Sequence, residues 1–122
     1  MISQAELVED FFGYWPEFAD AKVVSFGWAR PGAIELALHY IDAGRGKDAV
    51  VTLRFSGVKN VRLTDLMSEN VADCLSISSG APVTVELEAC YGLAGTFQCF
   101  AVEVTGLAPN NSSKPTPLRG AA

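Results

Sequence analysis

An α+β fold, predominantly antiparallel β with one short N-terminal helix, is predicted by three features of this sequence. Apolar and polar residues alternate over several short runs, most cleanly at 34–42, 49–58 and 83–90, which is the period of half-buried strands. Short turns rich in Gly and Pro separate those runs. No helical crossover of a dozen or more residues intervenes, so neighbouring strands are expected to run antiparallel. Only the first dozen residues carry a helical stripe. The expectation is about six strands in an open or partly closed, barrel-like sheet.

The elements follow in order. Ser3-Gln4-Ala5-Glu6 has the form of a capping box, in which Ser3 accepts from the Glu6 amide and Glu6 reaches back. Leu7, Val8, Phe11 and Phe12 then share one helical face opposite Glu6, Glu9 and Asp10, and the helix ends near Gly13. Phe11-Phe12-Gly13-Tyr14-Trp15-Pro16-Glu17-Phe18 packs five aromatic residues around one Gly and one Pro. Gly13 interrupts the helix and Pro16 pushes Trp15 into extended backbone, so this stretch reads as the corner into the first strand. It is either a plug closing one end of a sheet core or an exposed aromatic binding patch; the plug is favoured because contiguous apolar surface is uncommon on a soluble monomer.

The strand at 22–29 places Val24, Phe26 and Trp28 on one face, and Arg30-Pro31-Gly32 turns the chain. The next strand alternates Ile34, Leu36, Leu38 and Tyr40 against Glu35, Ala37 and His39. A flexible loop at 43–48 leads to a strand at 49–58 with Val51, Leu53 and Phe55 on one side. Gly57 marks a bend or bulge before Val61-Arg62-Leu63, and 64–70 holds at most one helical turn. Strands at 71–78 and 83–90 flank a turn at 79–82. Gly92 to Gly95 is read as a tight hairpin, from which a last long strand returns over 96–105. From Gly106 the composition turns to Pro, Asn, Ser and Gly. The organisation expected is therefore a single globular domain over 1–108 and a flexible tail over 109–122.

The bulk numbers bound the function classes. With 122 residues, 49% hydrophobic and 19% charged, the chain suits one domain with one core. A net charge of −5 argues against nucleic acid or an anionic membrane as partner, and suits a partner that is itself basic. Glu6, Glu9 and Asp10 break any apolar leader, no stretch has the length of a membrane span, and the chain reads as cytoplasmic. Cys74, Cys90 and Cys99 lack CxxC spacing, which speaks against a disulfide framework or a zinc site. Cys90 and Cys99 flank the hairpin turn and are expected as two buried thiols.

No catalytic, cofactor-binding or metal-binding residue is assigned. His39, the only histidine, has no nucleophile in a family-like context and reads as a surface or interface residue. Glu86 and Glu88 share one strand face, as the solvated side of a half-buried strand does. Gly44-Arg45-Gly46-Lys47 lacks the spacing and the following helix of a phosphate loop, and no His/Cys/Asp cluster has metal-ligand spacing.

The stretch Phe12-Gly13-Tyr14-Trp15-Pro16-x-Phe18-x-Asp20-Ala21 resembles the opening motif of the immunity protein 50 family, small bacterial proteins assigned to neutralise a toxin deployed between neighbouring cells. Leu53-x-Phe55-x-Gly57-Val58, Asn70-Val71-x-Asp73-x-Leu75-x-Ile77 and Tyr91-Gly92-x-x-Gly95-x-Phe97-x-Cys99 follow in similar order, so the resemblance spans about residues 7 to 105. The family pattern often places His before the Asp and Glu shortly after it. Ala19 and Lys22 stand there instead, which favours a structural Asp20 accepting backbone hydrogens at the turn. The resemblance implies a binding function, in which a cognate protein toxin is neutralised by direct contact, and the charge of −5 fits a basic toxin. Strand alternation then offers Glu35, His39, Glu86 and Glu88 as outward contact groups. The alternative is a general interaction or assembly domain without a toxin partner, self-associating through a sheet edge as a homo-oligomer.

Overall fold

The computed structural model describes residues 2–110. One helix and nine strands follow in chain order: β1 (Ile2–Ser3), α1 (Ala5–Phe12), β2 (Lys22–Arg30), β3 (Ala33–Asp42), β4 (Lys47–Ser56), β5 (Lys59–Thr64), β6 (Val71–Ser78), β7 (Val83–Tyr91), β8 (Ala94–Cys99) and β9 (Ala101–Pro109), with one 3-10 turn at Ala43–Arg45. The strands form a single sheet in the order β1-β9-β4-β3-β2-β6-β7-β8-β5. The end strands β1 and β5 do not pair, so the sheet is not closed. It is mixed, because Ile2 and Ser3 pair in parallel with Val102 and Glu103. Six antiparallel strands were expected from the sequence; nine in a mixed sheet are found.

Two of the additional strands are edges too short or too exposed to show a periodic pattern, namely β1 and β5. The third arises where a single run divides. The expected long strand over 96–105 is two strands separated by Phe100. Before it, β8 pairs with β7 and β5; after it, β9 pairs with β4 and β1. The inward positions change phase at the break, from Phe97 and Cys99 to Val102 and Val104, but the unbroken apolar run from Cys99 to Val102 covers the change, so the sequence does not show which partner each half takes. β9 then runs through Gly106 to Pro109, and the Asn110 amide donates to the Asp48 carbonyl at 2.8 Å. The rest of the expected tail, 111–122, lies outside the described residues.

The sheet must roll up. β4 and β8 lie five strand steps apart in the pairing order, about 24 Å in a flat sheet, yet the Phe55 and Phe97 rings meet edge to face at 5.0 Å between centroids. One layer (β1-β9-β4-β3-β2) therefore packs on the other (β6-β7-β8-β5). Inward side chains of both, including Ile34, Leu38, Val51, Leu53, Val85 and Val102, make one buried core. Burying each such residue is worth roughly 1.5–3 kcal/mol. Two crossings between the layers sit side by side. Gly57 leaves β4 for β5 directly against Phe100, whose amide donates to the Ser56 carbonyl at 2.8 Å. A Cβ on Gly57 would stand 2.7 Å from that of Phe100, and its φ of +67° suits glycine.

The aromatic corner is a plug. Phe12, Pro16 and Phe18 are buried while Tyr14 and Trp15 are half-buried. Phe18 meets Trp15 and Tyr40 in edge-to-face contacts at 5.9 and 5.6 Å, and Phe12 meets Tyr40 at 5.2 Å. The corner also lines the edge of β6. Asp20 N donates to Ala72 O, Ala72 N to Ala21 O and Leu75 N to Glu17 O, each at 2.8 Å.

The helix differs from expectation at its start. Ser3 is taken into β1, so the chain enters α1 through Gln4 in a left-handed conformation with no side-chain cap, and the capping box does not form. Val8 and Phe12 form its buried stripe; Leu7 faces solvent. Gly13 ends the helix as expected, its amide donating to Glu9 O at 2.7 Å. In β2, bulges at Val23/Ser25 and Trp28/Arg30 break the period of two, leaving Val24 and Trp28 exposed while Phe26 packs against the core.

Candidate functional site

Glu35 and His39 stand on the outer side of β3, each already held by a partner on β4. Arg54 Nη2 donates to Glu35 Oε2 at 3.0 Å, their strands being in direct register. Arg54 also lies opposite Glu103 on β9, and its buried Nε finds no acceptor among the described residues. His39 Nε2 meets Asp48 Oδ1 at 2.5 Å, and the second Asp48 oxygen accepts from Asn110 Nδ2 at 3.4 Å. Asp48 orients the imidazole as a general base would be oriented. The residues opposite His39 in the neighbouring strands are Lys22 and Val50, which offer no hydroxyl or thiol for it to activate.

Glu86 and Glu88 lie on the other layer. The four residues chosen from strand alternation are therefore not one patch: β3 and β7 turn their outer sides in opposite directions around the core. Alternation along β7 exposes Glu86, Glu88 and Cys90 together. Cys74 and Ser76 on β6 stand opposite Glu88 and Glu86. The fold adds two carboxylates that alternation alone missed. A bulge in β6 displaces Asp73, and the aromatic corner carries Asp20 to the same end of the strand, so that the Cys90 thiol contacts Asp20 Oδ1 at 3.6 Å and Asp73 Oδ1 at 3.9 Å. Asp20, Asp73, Glu86 and Glu88 are all exposed, and none forms an ion pair with a described residue. The expected role of Asp20 as a backbone acceptor is replaced by this contact and by its amide bond to Ala72.

This acidic environment acts on the thiol. Desolvation where the sulfur sits against the strand, the Asp20 hydrogen bond and the Asp73 charge all push the Cys90 pKa above its ordinary value. Cys99 is buried opposite Val83, at the far end of the β7–β8 hairpin, and desolvation raises its pKa too. The two thiols are thus neither neighbours nor both buried: Cys90 is exposed because it shares the outer face with Glu88.

A second polar cluster fastens the plug. Tyr14 Oη donates to Asp42 Oδ2 at 2.6 Å and lies 2.9 Å from Tyr40 Oη. The Asp42 hydrogen bond, then that of Tyr40, holds the Tyr14 proton and drives its pKa well above the ordinary range. Arg45 stacks over the Tyr14 ring at 5.4 Å and Lys47 over Phe11 at 5.1 Å. The glycine-flanked stretch at 44–47 thereby runs from the 3-10 turn at Ala43–Arg45 into β4, closing a β-hairpin and clamping the corner.

Among the described residues no group of His, Cys, Asp and Glu could hold a metal ion. A surface depression of about 410 Å³ is lined by Asn60, Arg62, Thr84, Thr96, Phe97 and Gln98, which include no acid/base pair. No described helix is long and apolar enough to cross a membrane.

Comparison with family models, characterised proteins and solved structures gives no match to this chain. The residues that carry the immunity-family resemblance are largely architectural here. Phe12, Phe18, Ala21, Leu53, Phe55, Asn70, Leu75, Phe97 and Cys99 are all buried.

Proposed function

We propose that this chain is an immunity-type binding protein that neutralises a cognate bacterial toxin by direct, non-catalytic contact. The reading draws its partner class from the resemblance of the aromatic corner and strand motifs. One observation carries its choice of surface: Asp20, Asp73, Glu86 and Glu88 share one outer side without a compensating cation among the described residues. Glu35 and His39 are engaged with Arg54 and Asp48, so they are the weaker half of the expected contact set. Unpaired carboxylates favour a basic partner, and their chief effect is on the rate and specificity of association.

The test is co-expression with the protein encoded beside this chain's gene, scored for growth rescue and co-purification. Rescue and a stable complex are expected, with association slowing steeply as salt rises. Glu86→Lys combined with Glu88→Lys should abolish rescue while leaving the urea midpoint unchanged. Undiminished rescue by that variant would remove the acidic face from the interface; a non-toxic neighbour with no complex would remove the toxin reading itself.

A further inference from the structure

β2 is paired along one edge only. It pairs with β3 from Lys22 to Arg30, but its other edge meets β6 at the single pair Lys22 and Val71, followed by Val23 N donating to Asn70 O at 2.8 Å. β6 cannot take more, because the corner at residues 17–21 occupies its edge. From Val24 to Arg30 the edge of β2 therefore has no backbone partner among the described residues. Open edges are ordinarily blunted by an inward charge, a proline or a bulge. The interior of β2, Val-Val-Ser-Phe-Gly-Trp-Ala, carries neither charge nor proline, and its two bulges, at Val23/Ser25 and Trp28/Arg30, lie towards the ends of the open stretch.

A groove of about 290 Å³ runs beside this edge. Phe26 and Trp28 of β2 form one wall, Val61 and Leu66 the other, and buried Ile34 and Leu93 the floor. Trp28 is 58% exposed and Leu66 63%. Asp65 is the one charged residue lining the groove, which disfavours a carboxylate seated in it. The ends of the strand have the opposite character. Lys22 and Arg30 are exposed, and neither has an acidic group within ion-pair distance among the described residues.

We infer that the open edge of β2 docks an extended segment of a partner protein, with an apolar side chain in the groove and a carboxylate near each end. Backbone pairing gives the contact its length, and the groove and the two cations give it selectivity. A second copy of this chain fits poorly: the open stretch from Val24 to Arg30 holds no carboxylate, so a β2–β2 pair would leave Lys22 and Arg30 of both copies without an acidic partner. This edge takes the opposite charge from the acidic face.

The test uses the full chain and two labelled nine-residue peptides of alternating Thr and Val with a central Leu, one ending in Glu at both ends and one in Lys. The Glu-ended peptide should bind about tenfold more tightly, since two opposite-charge pairs replace two like-charge pairs. Its binding should slow amide exchange within residues 24–30. Lys22→Glu with Arg30→Glu should reverse the preference, and Trp28→Ser should weaken both peptides. Glu86→Lys with Glu88→Lys should leave both affinities within twofold, separating this surface from the proposed toxin interface. Equal affinity for the two peptides, failure of the Glu-ended peptide to bind, or protection at another strand would overturn the inference. The wild-type comparison decides the matter even if the charge-reversed variant does not fold.

Discussion

Asn70 holds the turn between β7 and β8 by accepting the backbone amide of Leu93 at 2.8 Å. The same oxygen accepts from Met67 N at 3.1 Å, and Asn70 Nδ2 donates to Met67 O at 2.8 Å, so a single buried amide ties the loop before β6 to the turn after β7. Gly92 is part of this lock. Its φ is +86°, and a Cβ there would collide with the Asn70 oxygen. Asn70→Ala should cost about 2 to 3 kcal/mol, because a buried amide loses its acceptor. Gly92→Ala should also destabilise, through both strain and collision. Combined, the two should cost less than their sum by more than about 0.5 kcal/mol, since the first removes the atom the second strikes. Urea unfolding of the four proteins measures this, and strict additivity would show the contact to be incidental.

The plug makes a packing prediction. Phe18 is fully buried between Trp15 and Tyr40, and Phe18→Ala should cost about 3 to 5 kcal/mol through lost burial and the remaining cavity. Leu7→Ala should change stability by no more than about 0.5 kcal/mol, because Leu7 faces solvent. Comparable losses at the two sites would contradict the observed orientation of α1.

Tyr14 makes a prediction about pH. Its hydrogen bond to the Asp42 carboxylate needs the phenolic proton, and the folded chain holds that proton more tightly than the unfolded chain does. The contribution is therefore fully present below the unfolded pKa near 10 and is lost as pH rises through the higher folded value. Above that unfolded pKa the folded state binds more protons, so stability declines with rising pH. Tyr14→Phe should cost about 1 kcal/mol at neutral pH. Denaturation curves from pH 7 to 11 should show the gap between wild type and variant narrowing only above about pH 10. A gap that closes at neutral pH would exclude this origin.

Cys90 reports on the acidic face. An exposed thiol whose pKa is raised is mostly protonated at neutral pH, and the thiolate is the nucleophile. Alkylation of Cys90 at pH 7.5 should thus be slower than that of a free cysteine peptide, yet faster than that of buried Cys99. Asp73→Asn and Asp20→Asn should each accelerate it. Mass spectrometry of time points distinguishes the sites, and an unchanged rate in both variants would remove the two carboxylates from the thiol's surroundings.

Most strands of the core were legible because their signal is local. The alternation of Val51, Leu53 and Phe55, or of Val83, Val85 and Leu87, follows from the pleat, and the fold turns these residues inward. The aromatic corner was readable for a related reason: Gly13 and Pro16 constrain the backbone wherever they occur. The candidate site was much less legible. Glu86 and Glu88 belong to one strand and share a face by alternation, whereas Asp20 and Asp73 join them only through a bulge and a corner packed on the edge of β6.

By itself the sequence determined where the chain is extended, where it turns and which side chains seek the interior, since each depends on residues a few positions apart. Tertiary structure alone decided that one apolar run divides at Phe100 between two layers, that Ser3 enters a parallel pair instead of capping the helix, and that Glu35 and Glu86 face opposite ways. Those outcomes depend on pairings such as Ser3 with Glu103 and Ser56 with Ala101. Residues so far apart in the chain leave no mark of their partnership in the period of either strand.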